Sequence, residues 1–190
     1  LALTHVCSGR YSSTGSDPGS VRPRVTFQEE DSMSRKGEHA YSATVVWTGN
    51  SGQGTKNYRA FSRDHEITCG NKPTIAGSAD PAFLGNSSRY NPEELLLSSL
   101  SACHMLWYLH LCADAGITVL NYIDSAKGRM VETKNGSGHF ENVTLNPVVN
   151  IVPGDDSELA KSLHKKAHSY CFIANSVNFE VDCEPEIRTD

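Results

Sequence analysis

The stretch NPEELLLSSLSACHMLWYLHLCADAG, residues 91–116, decides the fold class. Asn91 supplies an N-cap side chain, Pro92 fits the first helical position, and Glu93 and Glu94 meet the positive end of the helix dipole. The residues that follow are apolar nearly all round, as in a helix covered on most sides, and Gly116 is a natural stop. This spacing predicts one long buried helix at the centre of the core.

Upstream of it, Tyr41, Ala43, Val45 and Trp47 alternate with Ser42, Thr44 and Val46, which predicts a half-buried strand over 40–48. The turn GNSGQGTK (49–56) leads to a second strand over about 57–68, so the first two elements form an antiparallel hairpin. That turn is no phosphate-binding loop, because Gly54 is followed by Thr55 before Lys56 and the required Gly-Lys-Ser/Thr order is broken. Downstream, β-rich segments at 117–133 and 139–152 flank the hairpin signal Asn135-Gly136-Ser137-Gly138. Asp155-Asp156-Ser157-Glu158 opens a second helix that runs to about Ser169, and Val177, Phe179 and Val181 alternate in a last strand. The order of elements is that of an α+β protein with antiparallel sheet.

A chain of 190 residues suits one sizeable domain, placed at 38–190. Residues 1–37 mix Ser, Gly, Pro and Arg without hydrophobic period and are expected to be a flexible tail, either transit-peptide-like or an extension ahead of Met33. No run approaches the roughly 18 consecutive apolar residues of a membrane span, so a soluble protein is expected, with no membrane partner. The 17 basic against 22 acidic residues give a net charge of −5, with no basic cluster, which argues against nucleic acid. Six cysteines are too few for a disulfide scaffold, and no secretory signal opens the chain. A reducing compartment, the cytoplasm, is the expectation.

Three of the cysteines are weak candidates for chemistry: Cys7 in the tail, Cys69 in a loop and Cys183 near the C-terminus. Cys103 lies in the buried helix and Cys171 where the second helix ends, 171 − 103 = 68 positions apart, so only folding could bring them together. Cys112, nine residues beyond Cys103, falls on the opposite helix face. Any one of these alone reads as a small buried hydrophobe. His164, His168 and Cys171 share a helix face at i, i+4 and i+7, and with Cys103 or His104 opposite they could supply zinc with four N/S ligands. No CxxC or HExxH pair anchors such a site, and satisfied histidines on an amphipathic helix are the simpler reading.

Two segments, NPEELLLSSLSACHML (91–106) and AHSYCFIANSVNFEV (167–181), resemble the osmotically inducible protein C (OsmC) and organic hydroperoxide resistance (Ohr) family. The likeness spans about Glu38 to Glu184. It implies an intertwined homodimer in which curved antiparallel sheets enclose the central helices and each site is built from both chains. It also implies a thiol-dependent peroxidase that reduces organic hydroperoxides and, in some branches, hydrogen peroxide. By resemblance Cys103 is the peroxidatic thiol, Cys171 the resolving thiol, and Glu93 the carboxylate that holds an arginine. That arginine is Arg59 or Arg63, with Arg63 favoured. An external dithiol, of lipoyl type or another, restores the thiols, and no metal, haem, flavin or other cofactor is required.

Residues ten apart on a straight helix stand about 15 Å apart along its axis, so Glu93 reaches Cys103 only if the helix bends or the arginine spans the gap. Met105, Trp107 and Phe172 are candidates to line an apolar pocket, or are ordinary core. His104 after the cysteine and Ile173-Ala174-Asn175 after Cys171 depart from many members, which have Phe and a Pro-containing segment there. The alternative function is an inactive relative that binds an apolar or thiol ligand.

Overall fold

In a computed structural model, which describes residues 37–189, helix α1 spans Pro92–Asp114 without interruption. Its start is a full capping box: the Asn91 side chain accepts from the Glu94 N–H at 2.7 Å, and the Glu94 carboxylate accepts from the Asn91 N–H at 3.0 Å. Two orphan donors of the first turn are thereby satisfied, while Glu93 takes no part in the cap. At the other end Gly116 adopts φ 74°, the left-handed conformation that lets the chain leave the helix. The expected tail, 1–37, lies outside the described residues except for Gly37, and the compact unit of the chain begins at Ser42.

Strands β1 (Thr44–Trp47), β2 (His65–Thr68) and β3 (Ile75–Gly77) form an antiparallel sheet in the order β1-β2-β3. The second strand starts at His65 rather than near 57. Asn50 explains part of the delay, because its side chain accepts from the N–H groups of both Gly52 and Gly54 and folds 50–54 into a turn. The strand β3 and the short 3-10 turn Pro81–Phe83 fall within residues 70–90, whose Gly, Asn and Pro content predicts a loop. A bridge between Gly77 and Tyr90 ties this sheet to the residue before the α1 cap.

After α1 the chain forms β4 (Val119–Asp124), β5 (Lys127–Glu132), β6 (Gly138–Leu145) and β7 (Pro147–Ile151). β4 pairs with β7 and β5 with β6, both antiparallel, as two halves of one long hairpin that closes at Asn135-Gly136. Burial alternates without a break through Val143, Leu145, Pro147, Val149 and Ile151, the period of two of a half-covered ribbon. Each expected β segment is divided in two by a bend. On one side sit Ser125 and Ala126; on the other, Asn146 gives its backbone N–H to Asp124 Oδ1 at 2.7 Å instead of to the ladder.

Helix α2 (Ser157–Tyr170) follows, capped by Asp156, whose side chain accepts from the Leu159 N–H at 2.9 Å. The last strands, β8 (Glu180–Cys183) and β9 (Glu186–Arg188), add to β6 and β7 in parallel register. The sheets are therefore antiparallel except at these two pairings. Parallel addition arises because α2 acts as a crossover between the hairpin and the terminal strands. The α+β class with central helices stands.

The core has two parts. Tyr108, Leu111 and Cys112 of α1 pack with Val149, Ile151 and the α2 residues Ala160, Leu163 and Ala167, while Leu100 packs with Val143 and Leu145. By length and composition α1 could cross a membrane, yet its Leu100, His104, Tyr108 and Leu111 row is buried on α2 and the ribbon. Its Leu106 remains 62% exposed. Leu100→Ala should lower the unfolding free energy by about 2–5 kcal/mol, and Asn91→Ala by about 0.5–2 kcal/mol, in urea denaturation. A Leu100→Ala loss under 1 kcal/mol (about half the lower bound) would contradict this packing.

Candidate active site

Cys103 and Cys171 come together. Cys103 projects half-buried from α1, and Cys171 is the C-cap of α2, buried, its backbone N–H donating to the His168 carbonyl at 3.2 Å. The two thiols are neighbours, close enough for Cys103 to act on the proton affinity of Cys171. Burial, and then the neighbouring Cys103 thiol, push Cys171 up to about 11, against the pull of the backbone N–H groups of Ala174 and Ile173. Cys171 is thus held as a neutral thiol at pH 7. Both cysteines are free.

The other two expected site residues are not brought to the thiols within one chain. Glu93 is half-buried in the first turn of an unbroken α1, ten residues before Cys103, and makes no ion pair among the described residues. The guanidinium of Arg63 donates to the Phe61 carbonyl at 2.6 Å and the Tyr58 carbonyl at 2.7 Å, and it lies over both aromatic rings. Arg59 and Arg63 line a shallow groove with Phe61 and Leu84, and no residue of α1 contributes to that groove.

Next to Cys171, an aromatic cluster reaches the surface. The Trp107 ring stacks on Tyr170 with centroids 5.1 Å apart and meets Phe172 edge-on at 5.7 Å. Met105 is not part of it. It lines a separate cavity of about 430 Å³ on the other flank of α1, together with Leu97, Ser101, Tyr122 and Asp124.

The arrangement of His164, His168 and Cys171 weighed as a metal edge does not assemble among the described residues. Cys171 is turned to Cys103, and the histidine–cysteine cluster that does form is His104, His164 and Cys183. His104 Nε2 and His164 Nδ1 are 2.9 Å apart, and Cys183 Sγ lies 3.5 Å from the first and 3.8 Å from the second. The two imidazoles lie end to end and nearly coplanar, 8° apart with centroids 5.3 Å from each other, and Tyr108 stacks on His164 with centroids 3.7 Å apart. Cys183, which the sequence presents as a weak candidate, is therefore the half-buried partner of two buried histidines. Asp124, also missed, approaches this cluster while accepting from the Ser101 hydroxyl at 2.5 Å. The one signal available in the sequence was the alternation Val181, Cys183, which sets Cys183 on the inner face of its strand.

Burial holds His104 down to about 4, helped by His168 and opposed by Asp124. Burial and then His104 hold His164 down to about 3. Burial, Asp124 and Glu184 push the Cys183 thiol up to about 12. All three groups are consequently neutral at pH 7.

A family model described as OsmC-like protein matches residues 85–186. Among solved structures, an OsmC-like protein of unknown function from Vibrio cholerae is 31% identical, with a TM-score of 0.70 over 78% of this chain and 99% of that one. An OsmC-like protein from Mycoplasma pneumoniae shares the fold at 15% identity (TM-score 0.61; 80% and 99% covered). So does an organic hydroperoxide resistance protein from Elizabethkingia anophelis at 22% identity (TM-score 0.60; 82% and 100% covered). No curated protein matches the chain.

The histidine pair makes a pH prediction. In the unfolded chain both imidazoles take up protons near pH 6.5, whereas the folded chain refuses them until about pH 4 for His104 and about 3 for His164. Stability is then unaffected by the pair above pH 7 and is lost as pH falls below 6.5, by at most about 1.4 kcal/mol per pH unit for each ring. Thermal melts between pH 8 and 4.5 (a range chosen around the ordinary imidazole value) should show that decline in the wild type and a flatter profile for His164→Phe. Equal acid sensitivity in both would remove the pair as its cause.

Proposed function

The chain belongs to the OsmC-like family, and on that premise we propose that it is a thiol-dependent peroxidase reducing organic hydroperoxides. The observation that carries the reading is that the Cys103 and Cys171 thiols, 68 residues apart in sequence, are neighbours in the fold. The Elizabethkingia anophelis protein of the same fold is an organic hydroperoxide resistance protein.

The Cys103 thiolate attacks one oxygen of the O–O bond, an S–O bond forms, and the other oxygen departs as alkoxide to be protonated to the alcohol. Cys103 becomes a sulfenic acid. The Cys171 sulfur then displaces its hydroxyl, which takes up the Cys171 proton and leaves as water, and a disulfide joins the two. A neutral Cys171 suits this order of events, since it does not compete for the peroxide and carries the proton that the departing hydroxyl needs. An external dithiol, by two exchange steps, restores both thiols and is itself oxidised. No cofactor enters this sequence.

Activation of Cys103 calls for a cation, and Arg63, favoured over Arg59, is the residue we assign to it, held by Glu93 through paired hydrogen bonds. Because Arg63 is turned to Tyr58 and Phe61 in its own chain, the assignment goes with an intertwined homodimer in which Arg63 of one subunit serves Cys103 of the other. Exposed apolar residues on β1 (Val45, Val46 and Trp47) and Leu106 on α1 are surfaces that such a dimer would cover. The aromatic cluster of Trp107, Tyr170 and Phe172 beside Cys171 would receive the organic part of the substrate. We place the protein in the cytoplasm, where thiols stay reduced.

Turnover of cumene hydroperoxide with dihydrolipoamide as donor tests the reading. Cys103→Ser should abolish it, and Cys171→Ser should stop multiple turnover while leaving a Cys103 sulfenic acid that a dimedone-type trap labels. Arg63→Met should lower kcat/KM by about a hundredfold or more. No turnover by the folded, reduced wild type, with both thiols still free after peroxide, would favour the inactive relative that binds an apolar or thiol ligand.

A further inference from the structure

We propose that His104, His164 and Cys183 form a metal site for Zn²⁺ or a similar borderline divalent ion, separate from the Cys103–Cys171 pair. The ligand atoms are His104 Nε2, His164 Nδ1 and Cys183 Sγ. Their separations of 2.9, 3.5 and 3.8 Å form a compact triangle whose short edge joins the two nitrogens. Zinc–nitrogen bonds of about 2.05 Å and a zinc–sulfur bond of about 2.3 Å, arranged tetrahedrally, require edges of about 3.3 Å between nitrogens and about 3.6 Å from nitrogen to sulfur. The edges depart from that by a few tenths of an ångström, and each imidazole, aimed at the other ring in the metal-free pair, turns by roughly 35° to aim its nitrogen at the ion.

Chemistry and burial agree with this geometry. Two imidazoles and one thiol are a zinc donor set, unlike the oxygen sets that select calcium or magnesium. His104 and His164 are 1% and 2% exposed. Their outer nitrogens, His104 Nδ1 and His164 Nε2, have no hydrogen-bond partner. A single proton shared between the inner nitrogens offsets little of the cost of burying two imidazoles, whereas two metal–nitrogen bonds offset far more. The three residues come from α1, α2 and β8, so a bound ion would fasten both helices to the edge of the ribbon.

Access exists. A surface groove of about 650 Å³ is lined by His164, Cys183, His168 and Asp182 and opens to solvent. It gives an ion a way in and leaves the fourth position to a water molecule. His168, one turn beyond His164, stands beside that opening. The site thus has three protein ligands drawn from separate elements, and the residue that begins it, His104, directly follows Cys103.

The test uses the full-length, reduced protein, stripped by a chelator and titrated with Zn²⁺ and, for its spectrum, Co²⁺. We expect one equivalent bound, with a thiolate-to-cobalt charge-transfer band, in the wild type and equally in a Cys103→Ser/Cys171→Ser protein that lacks the other thiol pair. Cys183→Ser should remove the band and weaken zinc by at least about a hundredfold, given that loss of even a supporting partner costs 10- to 100-fold. Circular dichroism establishes that this variant is folded, and His164→Gln supplies an independent loss of a ligand. The proposal falls if the stripped wild type takes up no metal, which would leave a hydrogen-bonded trio. It falls equally if the band survives Cys183→Ser or vanishes in the Cys103→Ser/Cys171→Ser protein, which would move the metal to that pair. None of these readings depends on peroxidase activity.

Discussion

The packing of α1 on α2 is the contact on which the rest of the molecule depends. α1 is too apolar on every side to be stable in water alone, and a single sheet face covers only part of it. The second helix supplies the remaining cover where Ala160, Leu163 and Ala167 meet Tyr108, Leu111 and Cys112. Two small residues among the three let the helices approach closely, and Tyr108 then stacks on His164. Once that ring pair is in place, the rotation and height of α2 against α1 are set. Cys171 at the C-cap and His164 one and a half to two turns earlier follow from it.

Neighbouring positions on α1 consequently serve different surroundings. Successive residues of a helix point about 100° apart, so Cys103 and His104 cannot share a partner. Cys103 meets Cys171 in a half-open position beside the Trp107, Tyr170 and Phe172 rings. His104 meets His164 and Cys183 in the interior. Desolvation acts on both places in the same sense, against charge. It keeps Cys171 and Cys183 as thiols and the two histidines as free bases. A reactive thiolate therefore needs a cation brought to it from elsewhere, and the candidates Arg59 and Arg63 lie in the loop between β1 and β2 of the sheet that precedes α1.

That sheet stands apart in its chemistry. β1 exposes Val45, Val46 and Trp47, and the Arg63 guanidinium lies over the rings of both Tyr58 and Phe61 just before β2. Guanidinium stacked on aromatic faces keeps its charge while losing some of its hydration, a state from which transfer to a partner's carboxylate or thiolate is less costly than from bulk water. A bridge from Gly77 to Tyr90 couples the sheet to the start of α1, so Glu93 and the arginine-bearing loop are joined through the backbone even though their side chains do not meet in one chain.

The sequence by itself determined the local elements whose signals are local. The Asn91 cap, the Pro92 start, the Gly116 stop and the Asn135-Gly136 turn fall where the residues place them, because capping and turn chemistry are decided within a few residues. The two motifs carried the family and nominated Cys103 and Cys171. The division of the β segments at Ser125 and Asn146 was not legible, since it rests on an Asp124 side chain reached only after the hairpin closes. Nor was the parallel addition of β8 and β9, which depends on where α2 delivers the chain. Only the tertiary structure decided that His104, His164 and Cys183 meet. Their separations of 60 and 19 positions match no helical or strand period, and an inner-facing cysteine at a strand end looks the same in sequence whether its neighbour is a leucine or two imidazoles.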